Sequence, residues 1–374
     1  MTLVTSDKQR FLTILVGLVL MALLAAWPTA APAASAADKT APAVKAPGPT
    51  AGSGTVEFKV RYANIKGTKA PVAEASLKAD KKYKVAFMVK NVVNPFWKAA
   101  RKGGDDAAAK YGVTVAHYAP TQADNVPEQT RLIEDIIVKK DADALVWAPV
   151  DFRAQVALAE KANAAKLPIF NFNSKLAGGE IVTFAGTDDF AMGKGIIDYM
   201  QKMLNQKGNI IILDGVPGAT TAELRKQGML EELKKYPNIK VVAHQTANWS
   251  RAEALRVTEN LLQSQPNVEA IVCANDEMAL GAVAALDSAG KAGKVKVTGV
   301  DSTPDALVAV KEGKLFASVD YSAYVIGYKS VEFAVRYLNG EKIPEQIYLV
   351  DYRIVDKTNV DDAIANRKKI GVMK

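Results

Sequence analysis

The chain has 374 residues, 49% hydrophobic, 7% aromatic and 24% charged, with a formal charge of +8. That composition excludes a disordered chain, and the length points to two domains, since single cores stop growing near roughly 250–300 residues. One cysteine, Cys273, excludes an internal disulfide, and basic pairs such as Lys139-Lys140 read as solvated helix ends, so no nucleic-acid partner is expected.

The amino terminus reads as an export signal. Lys8 and Arg10 precede an apolar run from Phe11 to Ala26, and Ala34-Ser35-Ala36 supplies small residues for a cut after Ala36. The rival reading is an uncleaved anchor, and the signal points to a bacterial periplasm. Residues 37–82 are read as a tether, rich in Ala, Pro, Gly and Thr at its start. Within it, Val56 to Tyr62 alternates apolar and charged residues as an extra strand would.

From Tyr83 onward, short apolar runs alternate with amphipathic stretches. Tyr83–Val89, Val113–Tyr118, Ala144–Ala148, Ile169–Phe172 and Ile181–Ala185 read as strands. Leu132, Ile133, Ile136 and Ile137 recur at helical spacing between two of them. The pattern then repeats with Ile210–Asp214, Val241–Gln245, Ala270–Cys273, Val295–Val300 and Phe316–Val319. Helix starts are marked by Asn94-Pro95, by Thr303-Pro304, and by Ser250 with Glu253 as a capping box. Strand–helix alternation implies parallel sheets covered on both faces, so two α/β lobes are expected, with ligand beyond the carboxyl ends of the strands.

Motifs of catalysis are missing. No Gly-x-Gly-x-x-Gly follows a strand, and Gly193-Lys194-Gly195 lacks the spacing of a phosphate loop and reads as small residues on a helix. No paired-cysteine or His-Glu-x-x-His metal site and no nucleophile elbow occurs. His117 and His244 read as strand-end histidines, and Cys273 as a small buried hydrophobe. No enzyme, cofactor or metal is expected.

What collects after the strands is polar and aromatic. Lys90, Asn94, Phe96 and Trp97 follow the first strand, and Asn173 and Ser174 the fourth. In the second half come Glu223, Trp249, Asn275, Asp301 and Tyr321. Asn94, Asn275 and Asp301 could equally cap helices, and Phe96 and Trp97 could be core. As a set they suit a sugar, with rings against its apolar faces and amides or carboxylates on its hydroxyls.

With Asn94-Pro95-Phe96-Trp97, the stretch Asn275 to Gly281, and Gly299 to Asp305, the chain resembles the type I periplasmic binding proteins of ABC importers, ribose-binding-protein-like group, over roughly Tyr83 to Leu349. The resemblance implies two Rossmann-like lobes joined by a three-strand hinge, one combining 83–187 with 322–350 and the other 188–321 with 351–374. It implies a sugar-like ligand in the cleft, a membrane permease as partner and a monomeric trap. Lys90, Asn94, Phe96 and Trp97 occupy the family's first-loop ligand positions, Trp249 a stacking position, and Asn275 and Asp301 match directly. Asn173 and Ser174 stand where ribose binders carry an aspartate and an arginine, and Glu223 where they carry a second arginine. Tyr321 replaces a hinge glutamine, and Ala148 an asparagine. Lys90 resembles the autoinducer-2-binding branch, which carries an aspartate at the position of Asn173. These departures point to a modified sugar, a polyol, a furanose or a zwitterion rather than ribose. The alternative role is presentation of ligand to a chemoreceptor or sensor kinase. A repressor sharing the fold would need a helix-turn-helix where the signal and tether stand.

Overall fold

Strands of three to eight residues, too short for helices and rich in Val and Ile, build the two main sheets at the centre of the molecule. The computed structural model describes residues 61–62, 69–70, 72–343 and 347–374. The expected signal, residues 1–36, and most of the expected tether lie outside the described residues. The described residues fall within one compact unit, Val44–Lys374. Among them no helix is long and apolar enough to cross a membrane.

In chain order the first half contains β1 (Arg61–Tyr62), β2 (Lys84–Met88), α1 (Pro95–Tyr111), β3 (Thr114–Tyr118), α2 (Val126–Lys139) and β4 (Ala144–Trp147). It continues with α3 (Val156–Ala164), β5 (Ile169–Phe172), β6 (Glu180–Ile181) and β7 (Thr183–Gly186). The second half contains α4 (Asp189–Met203), β8 (Gly208–Asp214), α5 (Thr220–Leu233), β9 (Ile239–Thr246), α6 (Arg251–Ser264) and β10 (Ala270–Cys273). Then come α7 (Asp276–Ser288), β11 (Lys296–Val300), α8 (Pro304–Glu312) and β12 (Ala317–Asp320). The chain ends with α9 (Ala323–Leu338), β13 (Ile347–Leu349), β14 (Arg353–Asp356) and α10 (Val360–Lys369).

Two six-stranded sheets result, ordered β13-β7-β5-β4-β2-β3 and β14-β12-β11-β10-β8-β9. The chain passes between them after β7, after β12 and after β13, which are the three crossings expected of a hinge. The α/β class and the two parallel-sheet lobes agree with the sequence reading. Two details differ. Ile181–Ala185 splits into β6 and β7, because Val182 bonds back to Ile169 and interrupts the run. The last strand, β14, runs antiparallel to β12, so the second sheet is not wholly parallel.

Helix ends follow local chemistry. Asn94 accepts from the Phe96 amide with Pro95 in the first turn, Ser250 accepts from Glu253, and Asn275 from Met278. Thr303 departs from expectation: α8 begins after it, but its hydroxyl turns away to Asp276 and makes no cap bond. Helices α4 and α5 approach so closely that a Cβ at Gly193 would lie 2.2 Å from the Arg225 carbonyl, and one at Gly228 2.1 Å from that of Phe190. The small residues on the helix therefore serve packing, and they set the height at which α5 presents its side chains.

The stretch before β2 is more than a tether. The Val72 carbonyl accepts from Arg336, Glu74 accepts from Lys110 at 2.8 Å and Lys329 at 2.9 Å, and the Asp80 amide donates to Asn339. Residues 72–80 thus cross α9 as a strap. The described end of the proposed extra strand, β1, pairs in parallel with β6.

Candidate ligand-binding site

The carboxyl ends of both sheets face one cavity, of about 350 Å³ including its mouth. From the first lobe come Lys90, Asn91 and Asn94 after β2, Phe96 and Trp97 in the first turn of α1, Asp124 after β3, and Asn173 after β5. From the second come Thr221 and Arg225 on α5, Trp249 after β9, Asn275 after β10, Asp301 after β11 and Tyr321 after β12. Aromatic walls and a few convergent polar groups suit a small polar molecule.

Nine of the eleven expected residues line this cavity. Ser174 does not; its hydroxyl is buried behind Asn173 and donates to that residue's Oδ1 at 3.3 Å. Glu223 does not either. It sits midway between Thr221 and Arg225, on the other side of α5, and pairs with Lys226 at 3.0 Å. The expectation of an acid in place of the family's arginine is therefore corrected: a guanidinium reaches the cavity, from Arg225. Thr221 and Arg225 are four apart and share one helix face. That spacing was present in the sequence and pointed to Arg225 once the start of α5 was placed. Asn91 was passed over although it lies between Lys90 and Asn94 in the same strand-end loop, and Asp124 was missed because it lies six residues past the end of β3.

The charged groups form a linked set. Arg225 is 3% exposed, and it donates Nε–H to Asp189 at 2.8 Å, Nη1–H to the Ala274 carbonyl at 2.7 Å and Nη2–H to the Tyr321 hydroxyl at 2.9 Å. Burial opposes its charge, but Tyr321, Asp189 and Asp301 hold its pKa above the usual arginine value. Burial pushes Asp301 up to about 7 against the pull of Arg225 and the Tyr321 hydroxyl. Asp189 is likewise raised by burial, to about 6. Across the cavity, burial lowers Lys90 to about 8, opposed first by Asp124, and its ammonium lies 6.0 Å from the Trp97 ring centroid. Asp124 is itself raised by burial and accepts from Asn91 at 3.2 Å.

The walls are rings. Phe96 meets Trp97 edge-on at 4.9 Å and leans on Tyr321 at 5.5 Å, while the Arg225 guanidinium lies 5.8 Å from the Trp249 ring. Three cavity residues adopt positive φ: Asn173 at 57°, Trp249 at 59° and Asp301 at 113°. For side-chain-bearing residues this is strain, held only where the surroundings enforce it. At the Asp301 turn the enforcement is visible. Asp276 accepts from the Thr303 amide at 2.7 Å and from the Ser318 hydroxyl at 2.6 Å, while Arg367 donates to the Ser302 carbonyl at 3.3 Å.

The lobes are shut. The Phe152 amide of the first donates to the Gly218 carbonyl of the second at 3.1 Å, and the Thr220 hydroxyl donates to the Lys175 carbonyl at 2.8 Å. Among the described residues no group of three or more His, Cys, Asp or Glu side chains could hold a metal ion.

A family model described as periplasmic binding protein domain matches residues 85–342. The chain belongs to the periplasmic binding protein family. Among relatives, it is 33% identical to the D-allose-binding periplasmic protein of Escherichia coli K12, over 72% of this chain and 89% of that protein. It is also 33% identical to the ribose import binding protein of Salmonella typhimurium, over 79% of this chain and 98% of that one. Among solved structures, it matches an ABC transporter solute-binding protein of Actinobacillus succinogenes with bound D-allose, at TM-score 0.71 and 34% identity, over 75% of this chain and 100% of that one. A Bacillus halodurans solute-binding protein with bound myo-inositol matches at TM-score 0.71 and 30% identity, over 76% and 98%. Family members thus hold sugars and polyols in this fold, and these relatives are binding proteins rather than enzymes.

Proposed function

We propose that this protein is the substrate-binding component of an ABC importer for a neutral sugar or polyol, exported to the periplasm and acting as a monomer. The observation that carries the ligand class is the balance of charge in the closed cavity. The cations Lys90 and Arg225 are already faced by Asp124, Asp189 and Asp301, so no unmatched positive charge waits for an anion. What remains are amides, a hydroxyl, partly satisfied charged groups and indole faces, which match hydroxyls on a compact ring or short polyol. The sugars and polyols held by the relatives support the same reading.

In mechanism the ligand first meets one lobe. Closure then brings Arg225, Asn275 and Asp301 to one side of it and Lys90, Asn94 and the Phe96–Trp97 pair to the other. A ligand that touches both lobes shifts the open–closed balance by the extra contacts it makes in the closed form. A permease that reads both lobes would then sense loading.

The test is a thermal-shift and calorimetric panel of D-allose, ribose, D-arabinose, xylitol and myo-inositol on the purified mature protein. At least one should bind at micromolar Kd or tighter. A panel with no binder would overturn the sugar and polyol reading. Gene deletion then separates roles: uptake of the bound sugar should be lost, whereas loss of chemotaxis with uptake intact would assign a sensory role.

A further inference from the structure

The Tyr321 hydroxyl has one proton to give and two lone pairs to offer. All three are spent within the protein. It donates to Asp301 Oδ1 at 3.1 Å and accepts from Arg225 Nη2 at 2.9 Å and from Asn173 Nδ2 at 3.2 Å. We propose that Tyr321 is a positioning residue: its saturated hydroxyl aims Asn173, Arg225 and Asp301 at the ligand and makes no ligand hydrogen bond of its own. This deepens the sugar-site reading and rests on it for the ligand's place.

The position of Tyr321 gives the arrangement its reach. It follows β12, where the chain crosses from the second sheet to α9 on the first. Asn173 belongs to the first sheet's loops, and Arg225 and Asp301 to the second's. One oxygen at the hinge thus joins polar groups of both lobes. The ring cannot swing away, because it is 2% exposed, leans on Phe96, and lies 5.3 Å from the Arg225 guanidinium. With Nε to Asp189, Nη1 to Ala274 and Nη2 to Tyr321, three of the five N–H groups of Arg225 are taken. Two remain, with a direction set by the other three. Asp301 keeps Oδ2 for the ligand.

The groups facing Asp301 are Arg225 on α5, Asp189 on α4, Asp276 and Glu277 on α7, and Tyr321 itself. Tyr321→Phe changes only the last, and keeps the ring. In ligand-free protein, carbon-detected carboxyl NMR should show the Asp301 midpoint rising by about one pH unit, since the lost donor favoured the carboxylate. Calorimetry with D-allose should show binding roughly 10-fold weaker at pH 7, the deficit shrinking toward pH 9 as Asp301 ionises in both proteins. Tyr321→Gln, whose amide has one side to donate and one to accept, should recover part of both effects. An Asp301 midpoint that stays put in a folded Tyr321→Phe protein overturns the proposal. That titration needs no sugar, so if D-allose fails to bind the parent protein, the sugar reading loses support while the proposal is still decided.

Discussion

At the scale of residues, two neighbours on one helix turn have opposite fates. Glu223 points away from the cavity and forms a partly exposed pair with Lys226, of a kind worth about 0–1 kcal/mol. Arg225 is fully desolvated and holds Asp189 in a buried pair. Glu223→Ala should therefore leave sugar affinity unchanged and stability within about 0.5 kcal/mol. Arg225→Ala should abolish binding and cost about 3–5 kcal/mol in urea unfolding, because it strands Asp189 without a partner. Calorimetry and denaturation of both variants check this pair of outcomes.

Asp301 shows the cost of holding function in a buried place. Its folded pKa, about 7, lies above that of an ordinary aspartate. The stability linked to its proton is fully present below about pH 4 and is lost as pH rises through about 7. Asp301→Asn removes that loss. The variant's melting temperature relative to the parent should therefore climb between pH 4.5 and pH 8, while sugar affinity falls 10-fold or more. A melting difference that is flat with pH would count against an Asp301 that titrates near neutrality.

At the scale of elements, the loops between β4 and α3 and between β8 and α5 act as a pair. Gly218 has φ +83°, and a Cβ there would lie 2.2 Å from Asp151 Oδ2 in the opposite lobe. The left-handed backbone costs an alanine about 1–2 kcal/mol in open and closed forms alike, but the clash exists only on closure. Gly218→Ala should therefore weaken sugar binding at least 10-fold with every cavity residue intact. In small-angle scattering at saturating sugar the variant should also remain more extended than the parent. Equal affinity and equal compaction would show that this contact does not limit closure.

At the scale of the whole molecule, Trp97 and Trp249 enter the same cavity from opposite lobes. Saturating sugar should change the tryptophan emission and lower the radius of gyration together, with the same midpoint. Binding that changes neither would mean a site outside the cleft. The strap of residues 72–80 lies across α9, on the first lobe.

The doubled strand–helix pattern, the caps at Asn94, Ser250 and Asn275, and nine of the cavity residues were legible in the sequence, because strand periodicity and capping are local chemistry. Position just after a strand is also a local property, so Lys90, Asn173 and Asp301 could be singled out. Three things were decided only by tertiary structure. Helix phase decided between Glu223 and Arg225, since a residue's direction depends on where α5 is anchored against α4 through Gly193 and Gly228. Hydrogen-bond saturation decided the role of Tyr321, because its three partners come from residues 20, 96 and 148 positions away. Burial of carboxylates and ammonium together decided the charge balance of the cavity, which depends on two lobes meeting and so is written in no single stretch of chain.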